Sequence, residues 1–273
     1  MLASFGFVAV FQLCRHAMTA DYGGIAATTR PRLRKREQLI GSAMARISED
    51  SADFLRQRGW ASRIPGEVRE ALISELVPKR LKAGETITLG GSTGGHFWAL
   101  IEGQVGAFVA HATAGAPLAH VLLPGTWWGA GPLIGSPRRL DAEARTEAML
   151  GAIPLSRLQI LLDSLPGGWR ALASLSEEWV AMSSLAYSDA VKPDKNRRVA
   201  AWLLRLIGLR PPFCPLGEGS IIISHQEFGQ MVNMSRSTVT SILNEFARAG
   251  WVQSGYRTLR VLNAEALAEL ADG

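Results

Sequence analysis

Residues 224–250, SHQEFGQMVNMSRSTVTSILNEFARAG, constrain the fold more than any other stretch of the chain. Phe228, Met231 and Val232 recur at the i, i+3, i+4 spacing of one helix face, and Val239, Ile242, Leu243 and Phe246 mark the buried face of a second helix. Only Asn233-Met234-Ser235 separates the two, so both helices must share one core. Asn tolerates the left-handed backbone of a sharp turn, and Ser carries an oxygen that caps the helix after it. The pattern is that of a helix-turn-helix. With the apolar residues turned inward, Arg236, Ser237, Thr238, Thr240, Ser241 and Asn244 are left to project from the start of the second helix. There they can reach the base edges or phosphates of double-stranded DNA. The bland alternative is a helical hairpin with a polar outer face.

Charge distribution bears on that choice. The chain has 273 residues, enough for two domains, and its 47% hydrophobic content supports real cores. Its formal charge of +5 is unevenly spread. Between Lys192 and Arg260 there are ten Lys or Arg against four Asp or Glu, and the run RPRLRKR at 30–36 adds five more cations, so the rest of the chain is net negative. Such segregation suits a DNA-facing C-terminal domain joined to a domain that need not touch DNA. Cys14 and Cys214 make neither a disulfide framework nor a metal knuckle, which fits a reducing cytoplasm. The apolar stretch 2–14 is too short to span a bilayer as a helix and lacks a basic n-region, so no membrane association is expected. Residues 1–45 read as a poorly ordered extension, or translation starts at Met18 or Met44; a cryptic export signal at 2–14 is the alternative. The run at 30–36 reads as a flexible arm whose DNA contacts would be non-specific.

In chain order, 47–76 reads as two short helices broken at Ile64-Pro65-Gly66. From 79 to 155 short strand-like runs follow, at 85–89, 97–101, 105–109, 118–123 and 150–155, separated by glycine turns. Regular spacing of this kind predicts an antiparallel barrel or roll. Leu172, Leu175, Trp179, Met182 and Ala186 then form a narrow seam on one long helix. The seam meets either a second copy of the chain, the reading its narrowness favours, or the chain's own roll. Lys192-Pro193-Asp194 interrupts that helix as a hinge. Beyond it lie a helix through Val199, Trp202, Leu203, Leu206 and Ile207, a Pro-rich loop at 211–215, a short strand at 221–223, the helix-turn-helix, and a hairpin around Ser254-Gly255-Tyr256 that makes a wing.

This order of parts resembles the Crp/Fnr family of bacterial transcription regulators over roughly 47–270. One carrier is Ala99-Leu-Ile-Glu-Gly-Gln-Val-Gly-Ala-Phe-Val109 with Leu123-Pro-Gly-Thr-Trp-Trp-Gly129, similar to the family's strand-Gly-strand and Pro-Gly turns. The stronger one is Ser224-His-Gln-Glu-Phe-Gly-Gln with Ser235-Arg-Ser-Thr-Val239. The resemblance implies an α+β fold with four parts. These are an extension at 1–45, a β-roll similar to cyclic-nucleotide-binding domains (a double-stranded β-helix) at 46–165, a dimerisation helix at 166–192, and a winged helix-turn-helix at 193–273. It further implies a homodimer on a palindromic site, with RNA polymerase as a further partner and a small-molecule effector. Ser224 and Gln226 would contact phosphate, and Arg236 would reach a guanine edge, which its place one residue past the cap also favours. Cyclic-AMP-responsive members carry Glu after that arginine and another Arg four residues on; Ser237 and Ser241 stand there in this chain, so the operator should differ.

The sensor half departs from the family's nucleotide site. Nucleotide-binding members continue the hydrophobic turn as Gly-Glu, with a later Arg-Ser. Here Trp128 is followed by Gly129-Ala130, and the later pair is read as Arg139-Leu140. Ala cannot accept from a ribose hydroxyl, and Leu gives a phosphate oxygen no donor, so cyclic AMP is not the expected effector. Ser183 and Ser184 match the hydroxyl pair that touches adenine in those members. Two cysteines cannot hold an iron–sulfur cluster, and His96, His111 and His120 lack haem-ligand spacing, so no cofactor or metal site is expected. The roll then either binds an unidentified small molecule or serves as a dimerisation scaffold; a cyclic-nucleotide-responsive regulator with an atypical pocket is the alternative.

An enzyme is not expected. Gly90-Gly-Ser-Thr-Gly-Gly95 lacks the Gly-Lys-Ser/Thr ending of a phosphate loop, and no Gly-x-Ser-x-Gly or His-Glu-x-x-His motif is present. The remaining alternative is a ligand-binding module whose helix-turn-helix makes protein contacts. Strong salt dependence of duplex binding would separate DNA binding from it.

Overall fold

The lead-in helices begin where the capping residues place them. Ser48 accepts from the Ser51 amide and starts α1 (Glu49–Gln57), whose first turn carries Glu49 and Asp50 against the helix dipole. A 3₁₀ turn (Trp60–Arg63) and Pro65 lead into α2 (Gly66–Ser74), which buries Val68, Leu72 and Ile73. The break falls at Ile64-Pro65-Gly66, as the sequence predicts. The protein is described here from a computed structural model covering residues 46–109, 117–210 and 219–273. The readings made for 1–45, His111, the loop at 211–215 and both cysteines lie outside the described residues.

Among the described residues eight strands follow: β1 (Val77–Leu81), β2 (Thr86–Thr88), β3 (His96–Glu102), β4 (Val105–Val109), β5 (Leu118–Leu122), β6 (Trp127–Trp128), β7 (Leu140–Ala144) and β8 (Ala148–Pro154). They form two antiparallel four-stranded sheets ordered β1-β8-β3-β6 and β2-β7-β4-β5. Trp98 stands opposite both Ala152 and Trp128, and Val105 opposite both Leu122 and Ala144. The inner faces share a core of Trp98, Leu100, Val105, Leu122 and Leu150. The predicted strands are all present. Three lie beyond the prediction: β6, which is only two residues long, and β1 and β7, which read VPKRL and LDAEA, the one carrying Pro and two cations, the other helix-favouring Ala and Glu. Pairing to β8 and β4 overrides those local preferences.

The glycine-rich 90–95 segment makes turns between β2 and β3, with Gly90 N–H donating to Asp141 Oδ1 (2.6 Å) and Gly91 N–H to the Arg138 carbonyl (2.7 Å).

Two helices close the outer face of the first sheet. α3 (Leu155–Ser164) is an addition to the elements expected from the sequence, and α4 (Gly168–Ala190) is the long seam helix. Leu55, Trp60, Leu72, Phe97, Trp127, Leu158 and Leu175 pack together between helices and sheet. The seam does not remain for a second copy. Leu172, Leu175 and Met182 are buried within the protomer, and Trp179 Nε1 donates to the Trp127 carbonyl (3.1 Å). An apolar seam cannot tell one apolar neighbour from another, and the roll is the neighbour already attached.

The chain turns at 191–194, where Asp194 accepts from the Arg197 amide (2.8 Å) and starts α5 (Lys195–Leu206). Then come β9 (Ser220–Ile222), α6 (His225–Met231), α7 (Arg236–Arg248), the hairpin β10 (Val252–Gly255) and β11 (Thr258–Val261), and α8 (Ala264–Asp272). The three strands form one sheet ordered β10-β11-β9. This half has its own core, including Val199, Leu203, Phe228, Val239, Leu243 and Phe246. Leu118 and Val121 of β5 join that core, so the roll and the C-terminal elements are packed against each other within a single compact unit. The architecture is the α+β one expected: an antiparallel roll, a long helix and a winged helix-turn-helix.

Candidate functional site

The two-helix unit is built by capping and by one close approach. Ser224 and Glu227 form a reciprocal capping box at the start of α6. The turn beyond α6 uses Asn233 at φ 53°, the left-handed conformation read from the sequence. Gly229 lets that turn fold back, since a Cβ there would lie 2.8 Å from the Met234 carbonyl oxygen. Ser235 then caps α7 by accepting from the Thr238 amide (3.1 Å). Val239, Ile242, Leu243 and Phe246 are buried, and Arg236, Ser237, Ser241 and Asn244 are exposed along the opposite face.

Thr238 and Thr240 are only half-exposed and are engaged locally. The Thr238 hydroxyl lies 2.9 Å from that of Ser235, and the Thr240 hydroxyl donates to the Arg236 carbonyl (2.8 Å). With its proton committed, Thr240 accepts from His225 Nδ1 (2.9 Å), and His225 Nε2 in turn accepts from the Ser254 hydroxyl on β10 (2.9 Å). One neutral imidazole thus ties together α6, α7 and the wing. Burial and the nearby Arg236 charge both hold its pKa below the ordinary histidine value.

Ser224 and Gln226 differ in availability. Gln226 is exposed, whereas the Ser224 hydroxyl donates to Glu227 Oε2 (2.8 Å). Glu227 is also held from the roll: Arg145, on the β7–β8 turn, approaches Glu227 Oε1 with Nη1 (3.0 Å) and donates from Nη2 to Oε2 (3.1 Å) and from Nε to the Ile222 carbonyl (2.8 Å). Gln104, on the β3–β4 turn, donates to the Ser220 carbonyl (2.8 Å) and accepts from the Ile222 amide (2.9 Å). Burial pushes the Glu227 carboxyl up, but the hydrogen bonds from Arg145 and Ser224 outweigh it and leave the carboxyl below its ordinary value. The sequence pattern does not mark either contact: Gln104 stands in the strand-Gly-strand turn at 99–109 with nothing there to show what its side chain meets, and Arg145 lies in no motif.

A cavity of about 350 Å³ opens between the second sheet, the turns at 128–131 and 136–139, and α4. Of the expected ligand residues, Trp128, Gly129, Ala130, Arg139 and Leu140 line it. Ser183 and Ser184 do not; both are exposed further along α4, and the helix contributes Leu172, Leu175, Ser176 and Trp179 instead. The arginine at the heart of the cavity wall is Arg138 rather than Arg139. Arg139 is exposed at the rim, while Arg138 is 8% exposed and donates to the carbonyls of Gly94, His96 and Gly129. Gly129, at φ 104°, makes room for it, since a Cβ there would sit 2.6 Å from Arg138 Nη1. Two adjacent arginines on a turn give no sequence signal for which one points inward. Among the described residues no group of His, Cys, Asp and Glu is arranged to hold a metal, and no helix is long and apolar enough to cross a membrane.

Comparison with known proteins accords with both halves. Residues 197–270 match the family described as the Crp-like helix-turn-helix domain, and residues 78–164 match the cyclic nucleotide-binding domain. The transcriptional regulator SdrP of Thermus thermophilus is 30% identical over 195 residues, which cover 70% of this chain and 92% of the relative. A CRP-like cAMP-activated global transcriptional regulator of Mycobacterium tuberculosis is 24% identical over 224 residues, covering 80% of this chain and 99% of the relative. Among solved structures, a transcriptional regulator of the CRP/FNR family from Thermus thermophilus matches with a TM-score of 0.56 at 26% identity, covering 72% of this chain and 98% of that one.

Proposed function

The chain belongs to the Crp/Fnr family of transcription regulators, and on that premise we propose that it binds a palindromic DNA site as a homodimer, in response to an effector other than cyclic AMP. The observation that carries the DNA reading is the polar face of α7, opposite its buried apolar face and headed by exposed Arg236 at a capped helix N-terminus. An arginine so placed can donate bidentately to guanine O6 and N7 in the major groove. Ser237, Ser241 and Asn244 complete the base-reading face, and Gln226 meets a phosphate. Thr240 reads a base only if His225 releases it. Under this reading the protein acts in the cytoplasm, with RNA polymerase as a further partner.

The proposed dimer uses the outer side of α4. Val180, Ser184, Tyr187 and Val191 recur at four- and three-residue intervals, and three of them are large apolar side chains left 58%, 68% and 53% exposed. A stripe of that spacing is what a helix presents to a parallel copy of itself. Two paired α4 helices would set the recognition helices about one DNA turn apart.

Against cyclic AMP stands Ala130, which lines the cavity where a carboxylate would be needed for the ribose hydroxyl, and among the described residues that line it none is acidic. Selection of bound duplexes from random DNA by the purified protein, with and without cell metabolites, tests DNA binding, palindromy and ligand dependence together. Recovery of an inverted repeat supports the proposal; enrichment of no sequence overturns it.

A further inference from the structure

From the walls of the cavity beneath α4 we infer that its ligand is a small apolar carboxylic acid bound as its anion, the carboxylate against Arg138 and the apolar body against Trp128, Leu140 and α4. The inference rests on the reading of this cavity as the effector site and names what that effector is.

Three observations carry it. The first is an uncompensated charge. Arg138 is more than nine-tenths buried, yet among the described residues every hydrogen-bond partner it has is a backbone carbonyl. Burial is the one influence that displaces its pKa, downward, and no acidic side chain offsets it. The same charge helps to hold His96 below the ordinary histidine value, after burial and Lys79. A guanidinium in a low-dielectric wall without a counter-ion gains from an anion brought into the cavity.

The second is the supply of donors. Four of the five guanidinium N–H bonds of Arg138 are used; the second hydrogen of Nη1 meets no acceptor among the described residues. A carboxylate is acceptor-only, with a lone pair for it.

The third is the rest of the lining. Leu122, Leu140, Leu172, Leu175 and Trp179 are apolar or aromatic, and no carboxylate is present to accept from a sugar hydroxyl. A volume of about 350 Å³ lies in the range of small-ligand sites. The exposed Arg139 at the rim adds a second positive charge that favours entry of an anion.

The test titrates the full-length protein by calorimetry with indole-3-acetate, with indole-3-acetamide, which keeps the ring but has no charge, and with cyclic AMP. Saturable binding of the acetate, with the amide at least about tenfold weaker, is the expected result. Arg138→Gln should abolish acetate binding, but it also removes bonds to three backbone carbonyls. Ala130→Glu therefore provides the second variant: it leaves Arg138 in place and sets a negative charge beside it. It should lose acetate binding while melting at the parental temperature without ligand. Equal affinity for acetate and amide, acetate binding undiminished in Ala130→Glu, tighter binding of cyclic AMP, or no acetate binding at millimolar concentration would each overturn the inference. Duplex selection on the same preparation separates the two readings. Sequence-selective DNA binding without acetate binding overturns this inference alone. Acetate binding without sequence-selective DNA binding upholds it and overturns the DNA-reading proposal.

Discussion

Arg236 heads the recognition helix as an exposed cation, and its value lies in geometry rather than in charge alone. If it reads a base pair, Arg236→Ala should cost about 1–3 kcal/mol of specific binding and relax preference at one position, measured by competition between single-base variants of the selected duplex. A uniform loss on every duplex would assign Arg236 to phosphate instead. At the opposite extreme of exposure lies His120 on β5, buried beside Arg205 of α5. Burial pushes its pKa down from 6.5 to about 4, the hydrogen bond to the Val121 carbonyl opposes this in part, and the Arg205 charge adds to the depression. Because the folded value is depressed, the unfolded chain takes up a proton first as the pH falls. Stability is therefore lost between about pH 6.5 and about pH 4, by about 3 kcal/mol from this residue. Urea midpoints across that window should fall less steeply in His120→Leu than in the parent. Parallel slopes would show that His120 does not titrate as a buried neutral ring.

Elements differ in how far local sequence specifies them. The α6–α7 unit is legible almost to the residue, since capping serines, a left-handed Asn and two apolar faces all act within a few positions of one another. Strands β1 and β7 are not, because their residues favour other conformations and only the neighbouring strands hold them extended. The contacts of Gln104 and Arg145 with β9 and Glu227 belong to the same class: they join residues 77 to 118 positions apart. They give a prediction at this scale. Gln104→Ala with Arg145→Ala should speed amide exchange at Ile222 and across the start of α6 while leaving the β3–β8 pairing protected. Unchanged exchange at Ile222 would mean that the turns merely lie against the DNA-binding half. The Glu227 carboxyl is depressed, so its part of the contact is complete above the ordinary carboxylate pKa and is lost as the pH falls through the lower folded value.

At the scale of the whole molecule, α4 shows what periodicity can and cannot say. The spacing of Leu172, Leu175, Trp179 and Met182 marks them correctly as a packed seam but favours the wrong neighbour, since the roll covers it. The outer stripe of Val180, Tyr187 and Val191 is the face left for a second copy. Val180→Glu with Tyr187→Glu should convert a sedimenting dimer to monomer and weaken binding to the palindromic duplex while the circular dichroism spectrum stays unchanged. A dimer that survives both substitutions would place the interface elsewhere. The order of parts, the helix-turn-helix, the wing and the turn at 191–194 are legible in the sequence, because each depends on hydrogen bonds and apolar spacing that act over a few residues. Which of two neighbouring arginines faces the cavity, which side of α4 remains open and which roll residues hold the C-terminal half emerge from the fold alone. Each of those depends on what a side chain meets across the fold, and residues far apart in the chain leave no mark of that meeting in their own spacing.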